Sequence, residues 1–231
     1  MPERHPEQKL KSDVVISSRV RLARNLDDFP FPYKMDMEQS AQVLKRVREA
    51  IFNSNSTMVR NFVYIDIRNL NPLERQVLVE KHLISPDLAE SSRENGAIIS
   101  RDERISILIN EEDHLRIQCL FPGMQVDGAL ELCGRIDTLL EEKMNFAFND
   151  SYGYLTCCPT NIGTGIRASV MLHLPALVMT GYIRGVLEAC GKLGAAVRGL
   201  YGENSEASGN MFQISNQVTL GQSEEEIVSG V

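Results

Sequence analysis

Three short apolar segments in the middle of the chain constrain the fold most strongly. Ala97–Ser100 and Ile105–Asn110 flank the polar stretch Arg101–Arg104, and Leu115–Leu120 follows after a second short polar stretch. Short apolar runs bounded by polar turns are typical of buried strands. Parallel neighbours would need a crossover of roughly a dozen residues, which these gaps cannot hold. The sequence therefore predicts a hairpin extended by a third strand, within a largely antiparallel sheet.

Helical periodicity and capping signals predict helices around this sheet. Residues 36–53 carry apolar residues at steps of three and four, and Asn71–Glu74 combines an N-cap, a proline and a capping-box acid. Further helices are predicted from Asp127 to Lys143, over Ala168–Gly181 with a bend at Pro175, and over Tyr182–Leu193; further strands are predicted at Phe62–Ile67, Ala196–Leu200 and Met211–Leu220. The expected fold class is α+β, a largely antiparallel sheet flanked by helices.

Composition excludes several classes of protein. With 231 residues the chain can bury a core as one large domain. Its net charge of -7 argues against general nucleic-acid binding, which requires a basic surface. The N-terminal residues are polar and lack the apolar stretch typical of a signal peptide, and no apolar run approaches the roughly 18 residues of a membrane span. Five cysteines, an odd number without CxxC spacing, indicate reduced, cytoplasmic thiols with neither a disulfide framework nor a zinc site, and no metal ligands are assigned.

Two polar segments suit ligands of opposite charge. Asn110–Arg116 places three acids, a histidine and an arginine at the end of a predicted strand. Cys158–Arg167 contains a thiol, a glycine-rich loop and an arginine entering a predicted helix that Thr164 would cap. Carboxylates suit a cation, and arginine suits phosphate. Together they indicate phosphoryl transfer to a positively charged acceptor.

These two segments resemble signatures of the phosphagen (guanidino) kinases. So do Ser17–Arg21 and Arg198–Glu203, the latter followed by Ile214–Asn216. The resemblance runs from about Val14 to Val228 and implies the guanidino kinase catalytic-domain fold, which is similar to that of glutamine synthetase. Within the family the chain most resembles the bacterial protein-arginine kinases, on the sequences Cys119–Gly123 and Arg198–Glu206.

The resemblance also implies a domain organisation. Residues 1–13 are expected to form an N-terminal tail, and residues 14–231 a catalytic domain without the separate helical N-terminal domain of metabolic phosphagen kinases. Ser223–Glu226 reads as a capping box, yet only five residues follow it. We therefore expect the sequence to be cut from a larger protein, whose further C-terminal domain would dimerise and bind phosphoarginine.

The family match assigns roles to individual residues. Contacts with ATP are expected from Ser17, Ser18, Arg19, Val20, Arg21, His82, Arg116, Arg167, Ala168, Ser169, Val170, Met171, Arg198, Gly199, Leu200, Tyr201 and Gly202, with the five arginines on the phosphates. Mg²⁺ is expected to be held mainly by phosphate oxygens and water.

Chemistry at the acceptor requires further groups. A guanidinium has a pKa above about 12, so carboxylates must orient it and draw a proton away during attack. Glu112 and Glu203 match the family's acids, and Cys158 matches its reactive cysteine, whereas Cys157 is expected to pack in the sheet. A structural ion pair is the alternative for Glu112. Glu111 and Asp113 are expected to pack nearby or to pair with arginine.

The leading functional hypothesis is ATP-dependent phosphorylation of arginine side chains in proteins, which the resemblance links to stress response and protein turnover. It implies arginine-containing protein substrates, an activator protein and protease or chaperone adaptors as partners, with neither nucleic acid nor membrane. The alternatives are a kinase of free arginine or another small guanidine, a guanidine hydrolase, and a module that only binds phosphoarginine.

Overall fold

The computed structural model describes residues 14–199 and 208–231, with the backbone alone at 198, 199 and 208. The strands are β1 (Val15–Arg24), β2 (Phe62–Ile65), β3 (Gly96–Ser100), β4 (Ile105–Ile109), β5 (Leu115–Pro122), β6 (Phe148–Asn149), β7 (Gly153–Tyr154), β8 (Ile166–His173), β9 (Ala195–Gly199) and β10 (Met211–Asn216). The α-helices are α1 (Met37–Phe52), α2 (Pro72–Glu80), α3 (Pro86–Glu90), α4 (Val126–Glu141), α5 (Pro175–Met179), α6 (Ile183–Lys192) and α7 (Glu224–Ser229). Short 3-10 turns span Pro32–Lys34, Thr57–Asn61, Ile67–Asn69, Pro159–Asn161 and Ser208–Asn210.

Eight strands form one antiparallel sheet in the order β2-β3-β4-β5-β1-β8-β10-β9, and β6 pairs with β7. The predicted α+β class and the predicted three-stranded meander are confirmed, since β3 pairs with β4 and β4 with β5. β3 and β4 are buried throughout because apolar groups cover both of their faces. Ile107 lies in the main core, while its neighbour Leu108 packs on the opposite face with Ile67 and Leu88. Burial on both faces explains their unbroken apolar sequences.

Among the described residues, helix α4 packs on one face of the middle of the sheet. Val20 and Leu22 of β1 are fully buried in a core shared with Cys133 and Leu140 of α4. Successive side chains of a strand point to opposite faces. The alternate residues of β1, including Arg19 and Arg21, therefore occupy the face that the core does not use. Among the described helices, none is both long and apolar enough to span a membrane.

The predicted helix over Ala168–Gly181 is wrong. Residues Ile166–His173 form strand β8, and the helix begins only at Pro175. Ile166, Ala168 and Val170 are buried, and polar or half-buried residues alternate with them. This period of two identifies a strand, although alanine, methionine and leucine favour helices. Thr164 therefore precedes a strand and caps no helix.

The start of α4 also differs from the prediction. The helix begins at Val126 with Gln125 at the N-cap position, and no side chain caps it there. Asp127 lies in the first turn instead, where an acid complements the helix dipole. The signals at α2 and α7 are confirmed, because Asn71 with Glu74 and Ser223 with Glu226 each form a reciprocal capping box.

Helix α1 provides a test of a predicted helix. Asp36 accepts a hydrogen bond from the Gln39 backbone N–H at 2.8 Å, and the Gln39 side chain accepts from the Asp36 N–H at 3.0 Å. Replacing such a cap by alanine costs about 1 kcal/mol. We expect Asp36→Ala to lower the free energy of unfolding by about that amount in urea titrations. Asp36→Asn should retain most of the stability; equal losses in both variants would contradict a capping role.

Candidate active site

Four arginines from three adjacent strands converge on the face of the sheet opposite α4. β1 lies between β5 and β8, and Arg21 stands directly opposite Arg167 of β8. Arg116 of β5 stands opposite Ala23, two residues further along β1. Residues opposite each other in an antiparallel pair share a face, as do residues two apart on one strand. Arg19, Arg21, Arg116 and Arg167 therefore form one arginine cluster.

The cluster concentrates positive charge in a partly dehydrated place. Burial, together with the charges of Arg116 and Arg167, lowers the pKa of Arg19 to about 10. Burial and the other three arginines lower the pKa of Arg21 well below its ordinary value, with Glu111 opposing them. The Arg21 Nε is buried without a hydrogen-bond partner. A buried donor without an acceptor destabilises the protein, and an acceptor from a ligand would remove that penalty. The cluster is therefore suited to an anion with several acceptor oxygens.

Two glutamates at one edge of the cluster have different environments. Arg116 Nη1 donates to Glu111 Oε1 at 2.6 Å, and Arg116 Nη2 lies 3.2 Å from Glu112 Oε2. The Glu111 side chain is only 2% exposed, whereas that of Glu112 is 44% exposed. Burial raises the pKa of Glu112 against the opposing effect of Arg116, and Asp113 and Glu111 add to the rise. Glu111 is thus a buried counter-ion, and Glu112 is a carboxylate that a ligand can reach.

The two residues after Glu112 hold the turn in place. Asp113 Oδ1 accepts from Asn25 Nδ2 at 2.6 Å and from the Cys157 backbone N–H at 2.7 Å. His114 Nδ1 accepts from the Leu26 N–H at 3.0 Å, and its Nε2 lies 3.0 Å from the Pro30 carbonyl oxygen. Burial lowers the pKa of His114 to about 4, so the ring is neutral near pH 7. These contacts tie the Glu112 turn to the segment that follows β1 and to the segment that carries the cysteines.

A loop of residues 158–165, here the cysteine loop, forms the opposite wall of the cleft. The cleft is lined by Arg21, Ala23, Glu112, Arg116, Cys158, Thr160, Asn161, Gly165 and Arg167. The Cys158 Sγ lies 3.0 Å from the Thr160 Oγ1. Burial and the nearby Asp113 raise the pKa of the Cys157 thiol. The structure thus brings Cys158 and Glu112 to the same cleft as the arginine cluster. The prediction that Cys157 packs in the sheet is wrong, because Cys157 is half-buried in a bend between β7 and the turn at Pro159–Asn161.

Thiol reactivity gives a direct test of this placement. We expect brief iodoacetamide treatment to modify Cys158 first, because it lines the cleft, whereas Cys119 and Cys133 are buried. Cys157 should react slowly because its pKa is raised. Cys190, on α6, should also lag. ATP with substrate should protect Cys158. Peptide mapping checks the order, and preferential labelling of Cys119, Cys133 or Cys190 would contradict the assignment.

The other residues assigned to ATP fall into two groups. Ser17, Ser169 and Met171 are at positions that share the cluster's face. Ser18, Val20, Ala168 and Val170 are buried on the core face, and the Ser18 hydroxyl bonds the Gly123 carbonyl at 2.7 Å. Their side chains are on the opposite face from the arginine cluster, so any contact with a nucleotide would come from the backbone. That contact stays a prediction.

The remaining residues that the resemblance assigns to the site are His82 and the motif Arg198–Glu203. Burial and the charge of Arg19 lower the pKa of His82. The His82 carbonyl oxygen accepts a hydrogen bond at 2.6 Å from Nε2 of Gln118, which stands opposite Arg21. On β9, Arg198 is the register partner of Gln213, whose side-chain oxygen accepts from Arg19 Nη2 at 3.4 Å. Gly199 ends β9. Leu200, Tyr201, Gly202 and Glu203 lie outside the described residues, so their roles stay predictions.

Sequence reasoning missed several residues at the site. Thr160 and Asn161 line the cleft beside Cys158 within a recognised motif, but only the turn at Pro159–Asn161 shows that they face it. Gln213 contacts Arg19 from a strand distant in sequence. Its only signal is its position just before Ile214–Asn216.

Comparison with known proteins agrees with this geometry. The family described as "ATP:guanido phosphotransferase, C-terminal catalytic domain" matches residues 42–231. A protein-arginine kinase of Caldanaerobacter subterraneus subsp. tengcongensis is 53% identical over 219 residues, which are 95% of this chain and 65% of that protein. The protein-arginine kinase of Bacillus subtilis is 50% identical over 99% of this chain and 61% of its own length. The chain thus spans somewhat less than two thirds of these relatives.

Solved structures show the same fold. A taurocyamine kinase from Schistosoma mansoni, with bound components of a transition-state analogue, superposes with a TM-score of 0.83 at 28% identity, covering 94% of this chain and 32% of that one. A lombricine kinase gives a TM-score of 0.81 at 26% identity, covering 94% of this chain and 63% of the other. From the matched family and these relatives, the chain belongs to the ATP:guanido phosphotransferases and contains their catalytic domain.

Proposed function

We propose that this chain binds ATP on the arginine cluster and transfers the γ-phosphoryl group to the guanidinium of an arginine side chain in a protein. The arginine cluster is the observation that supports this most strongly. It holds like charges together in a partly buried place and leaves the Arg21 Nε without a partner. A triphosphate supplies both the opposite charge and the missing acceptor oxygens.

Catalysis of phosphoryl transfer depends mainly on position and charge neutralisation. Arg19, Arg21, Arg116 and Arg167 would hold the phosphates and stabilise charge on the transferred group. Among the described residues, no group of three or more acidic, histidine or cysteine side chains is arranged to hold a metal ion. Mg²⁺ would arrive with the nucleotide, held mainly by phosphate oxygens and water. When bound there, Mg²⁺ neutralises charge on the phosphate oxygens.

Two observations support a role for Glu112 at the acceptor. It is reachable from the cleft and lies against Arg116, a member of the cluster. In the proposed step an acceptor nitrogen attacks the γ-phosphorus, the bond to the ADP oxygen breaks, and Glu112 takes the proton that the nitrogen loses. The raised pKa of Glu112 makes it a better proton acceptor than an ordinary glutamate. Glu203, the second acid of the resemblance, would orient the same guanidinium, and Cys158 would contact it from the cysteine loop.

The choice of a protein as acceptor rests on the relatives. Proteins named protein-arginine kinase are 50% to 56% identical to this chain. The kinases named for taurocyamine and lombricine reach 28% and 26%. This difference favours arginine in polypeptides over a free guanidine. Five free cysteines among the described residues support a reducing, cytoplasmic setting. An activator and protease or chaperone adaptors remain expectations of the resemblance.

Labelled ATP tests this function and separates it from its rivals. The protein is incubated with γ-labelled ATP and either an unfolded arginine-rich protein or free arginine. We expect label on the polypeptide that is lost in acid, because a phosphorus–nitrogen bond is acid-labile whereas a serine ester is stable. Faster transfer to free arginine would indicate a small-guanidine kinase. Citrulline formed without ATP would indicate a hydrolase, and binding of phosphoarginine without turnover would indicate a binding module.

A further inference from the structure

Arg24 is a buried arginine on the face of the sheet that does not carry the cluster. It is the last residue of β1, shares the core face with Val20 and Leu22, and is 1% exposed. Its Nη2 lies 2.7 Å from Asp137 Oδ2 on α4, and its Nε lies 3.1 Å from Asp137 Oδ1. A largely buried ion pair of this kind needs an explanation, because apolar residues of similar volume often stabilise a core equally well.

The remaining contacts of Arg24 reach the cysteine loop. Arg24 Nη1 donates to the Thr164 carbonyl oxygen at 2.9 Å and to the Ala23 carbonyl oxygen at 3.0 Å. The Ala23 N–H donates to the Gly165 carbonyl oxygen at 2.9 Å. Gly165 has φ +68°, and an added Cβ would lie 2.7 Å from Arg24 Nη1 and 2.6 Å from the Ala23 oxygen. The end of the loop is therefore pressed against the guanidinium without room for a side chain.

Two further elements hold the Arg24 guanidinium in place. Its Cζ lies 3.5 Å from the centre of the Tyr154 ring, a distance at which the cation and the ring attract. Its Nη2 lies 3.8 Å from Glu224 Oε1, at the start of α7. Contacts with α4, β7 and α7 thus fix a planar group whose Nη1 points to the loop. Because the guanidinium is planar and rigid, fixing one of its edges also fixes the nitrogen that binds the loop.

The loop has a second anchor close to the first. The Thr219 hydroxyl lies 2.6 Å from the Ile162 carbonyl oxygen and 3.0 Å from that of Thr160, and the Thr164 N–H donates to the Thr219 oxygen at 3.3 Å. Both anchors bind the backbone, so Cys158, Thr160 and Asn161 remain turned to the cleft. We propose that Arg24 is a positioning residue. By holding the backbone at the end of the cysteine loop, it keeps Cys158, Thr160 and Asn161 where they can contact the acceptor, an inference that rests on the function proposed above.

A double substitution separates positioning from stability. In Arg24→Met with Asp137→Leu, both charges leave the core together and the volume is largely kept, so the protein should stay folded. The Thr164 oxygen, however, loses its donor. We expect unchanged ATP affinity, because the cluster is on strands, and a fall in kcat of roughly 10²-fold, the effect of a displacement of about 1 Å. Parental kcat in a folded double variant would overturn the proposal.

Arg24→Lys provides a second variant. It keeps a positive charge for Asp137 but lacks the fork that also reaches Thr164. We expect the same loss of kcat at parental ATP affinity, so this variant decides the question if the double variant does not fold. The control is Ile51→Ala, which removes buried side-chain atoms of α1, outside the loop and its anchors. It should lower stability while kcat below the unfolding transition stays near the parental value.

The position of the cysteine loop can also be tested by two measurements that do not depend on catalysis. In both Arg24 variants, iodoacetamide should modify Cys158 faster and amide hydrogens of residues 158–165 should exchange faster than in the parent, whereas Ile51→Ala should change neither locally. If the parent transfers no phosphoryl group, the proposed function fails, and these two readouts still test the anchor. Parental labelling and exchange rates in both Arg24 variants would show that Arg24 does not hold the loop.

Discussion

Glu112→Gln should bind ATP like the parent but turn over roughly 10²- to 10⁴-fold more slowly, the usual effect of losing a general base. Glutamine keeps the size of the side chain and its contact with Arg116, so the cluster stays in place. What is lost is the charge that orients a guanidinium and the oxygen that accepts its proton. Steady-state kinetics together with ATP titration measures the two effects separately.

Glu49→Gln is the matched control for this change. The Glu49 side chain, on α1, is 58% exposed, and its Oε1 lies 3.9 Å from Nζ of Lys45, four residues earlier. It should retain parental kinetics. Turnover of Glu112→Gln within a few-fold of the parent would remove Glu112 from the chemistry and leave it as an ion-pair partner of Arg116.

The pH profile follows from the same group. Burial raises the pKa of Glu112, so the basic form is lost at a higher pH than for an ordinary glutamate. As pH falls, kcat/KM, which reports the groups of the free enzyme, should therefore decline before ordinary carboxylates titrate, and the decline should be absent from the residual activity of Glu112→Gln. An identical acidic limb in both proteins would assign it to another group.

Arg21→Met should weaken ATP binding by about 10- to 100-fold while leaving the free protein as stable as the parent or more stable. A hydrogen bond to a charged group contributes about 1.5–3 kcal/mol, which gives the expected loss of affinity. The gain has a separate cause. Burial and three neighbouring arginines oppose the charge of Arg21 in the free protein, and methionine removes that opposition. Nucleotide titration and chemical denaturation measure the two quantities.

Two further variants sharpen this result. Arg21→Lys should recover only part of the affinity, because a single ammonium cannot make the paired contact of a guanidinium. Arg135→Met, at an exposed position on α4, should change neither affinity nor stability appreciably. A strong loss of stability in Arg21→Met without ligand would show that Arg21 supports the fold and is not strained by its neighbours.

Sequence signals predicted the structure correctly where the residues of a single helix were sufficient to determine it. The capping box at Asn71 and the apolar period of residues 36–53 correspond to real helices because caps and stripes act within a few residues. The helix predicted over Ala168–Gly181 is wrong because the alternation of buried and half-buried residues in Ile166–His173 is partly hidden by residues that favour helices. Its pairing with β1 and β10, which lie far away in the chain, decides its conformation.

The site shows the same division. Family motifs pointed to Arg19, Arg21, Arg116 and Arg167, but their convergence depends on β1 lying between β5 and β8, a register that no single segment contains. The different burial of Glu111 and Glu112 also could not be read from two adjacent identical residues. Arg24 was passed over because nothing local distinguishes a buried arginine from a surface one.

Mass spectrometry of the phosphorylated product tests the central claim most directly. An unfolded arginine-rich protein is incubated with ATP and Mg²⁺ and either the parent or Glu112→Gln, then digested at neutral pH to preserve phosphorus–nitrogen bonds. We predict phosphate on arginine side chains with the parent and at least about 10²-fold less with the variant. Phosphate on serine, threonine or tyrosine, or equal arginine phosphorylation by both proteins, would contradict the account.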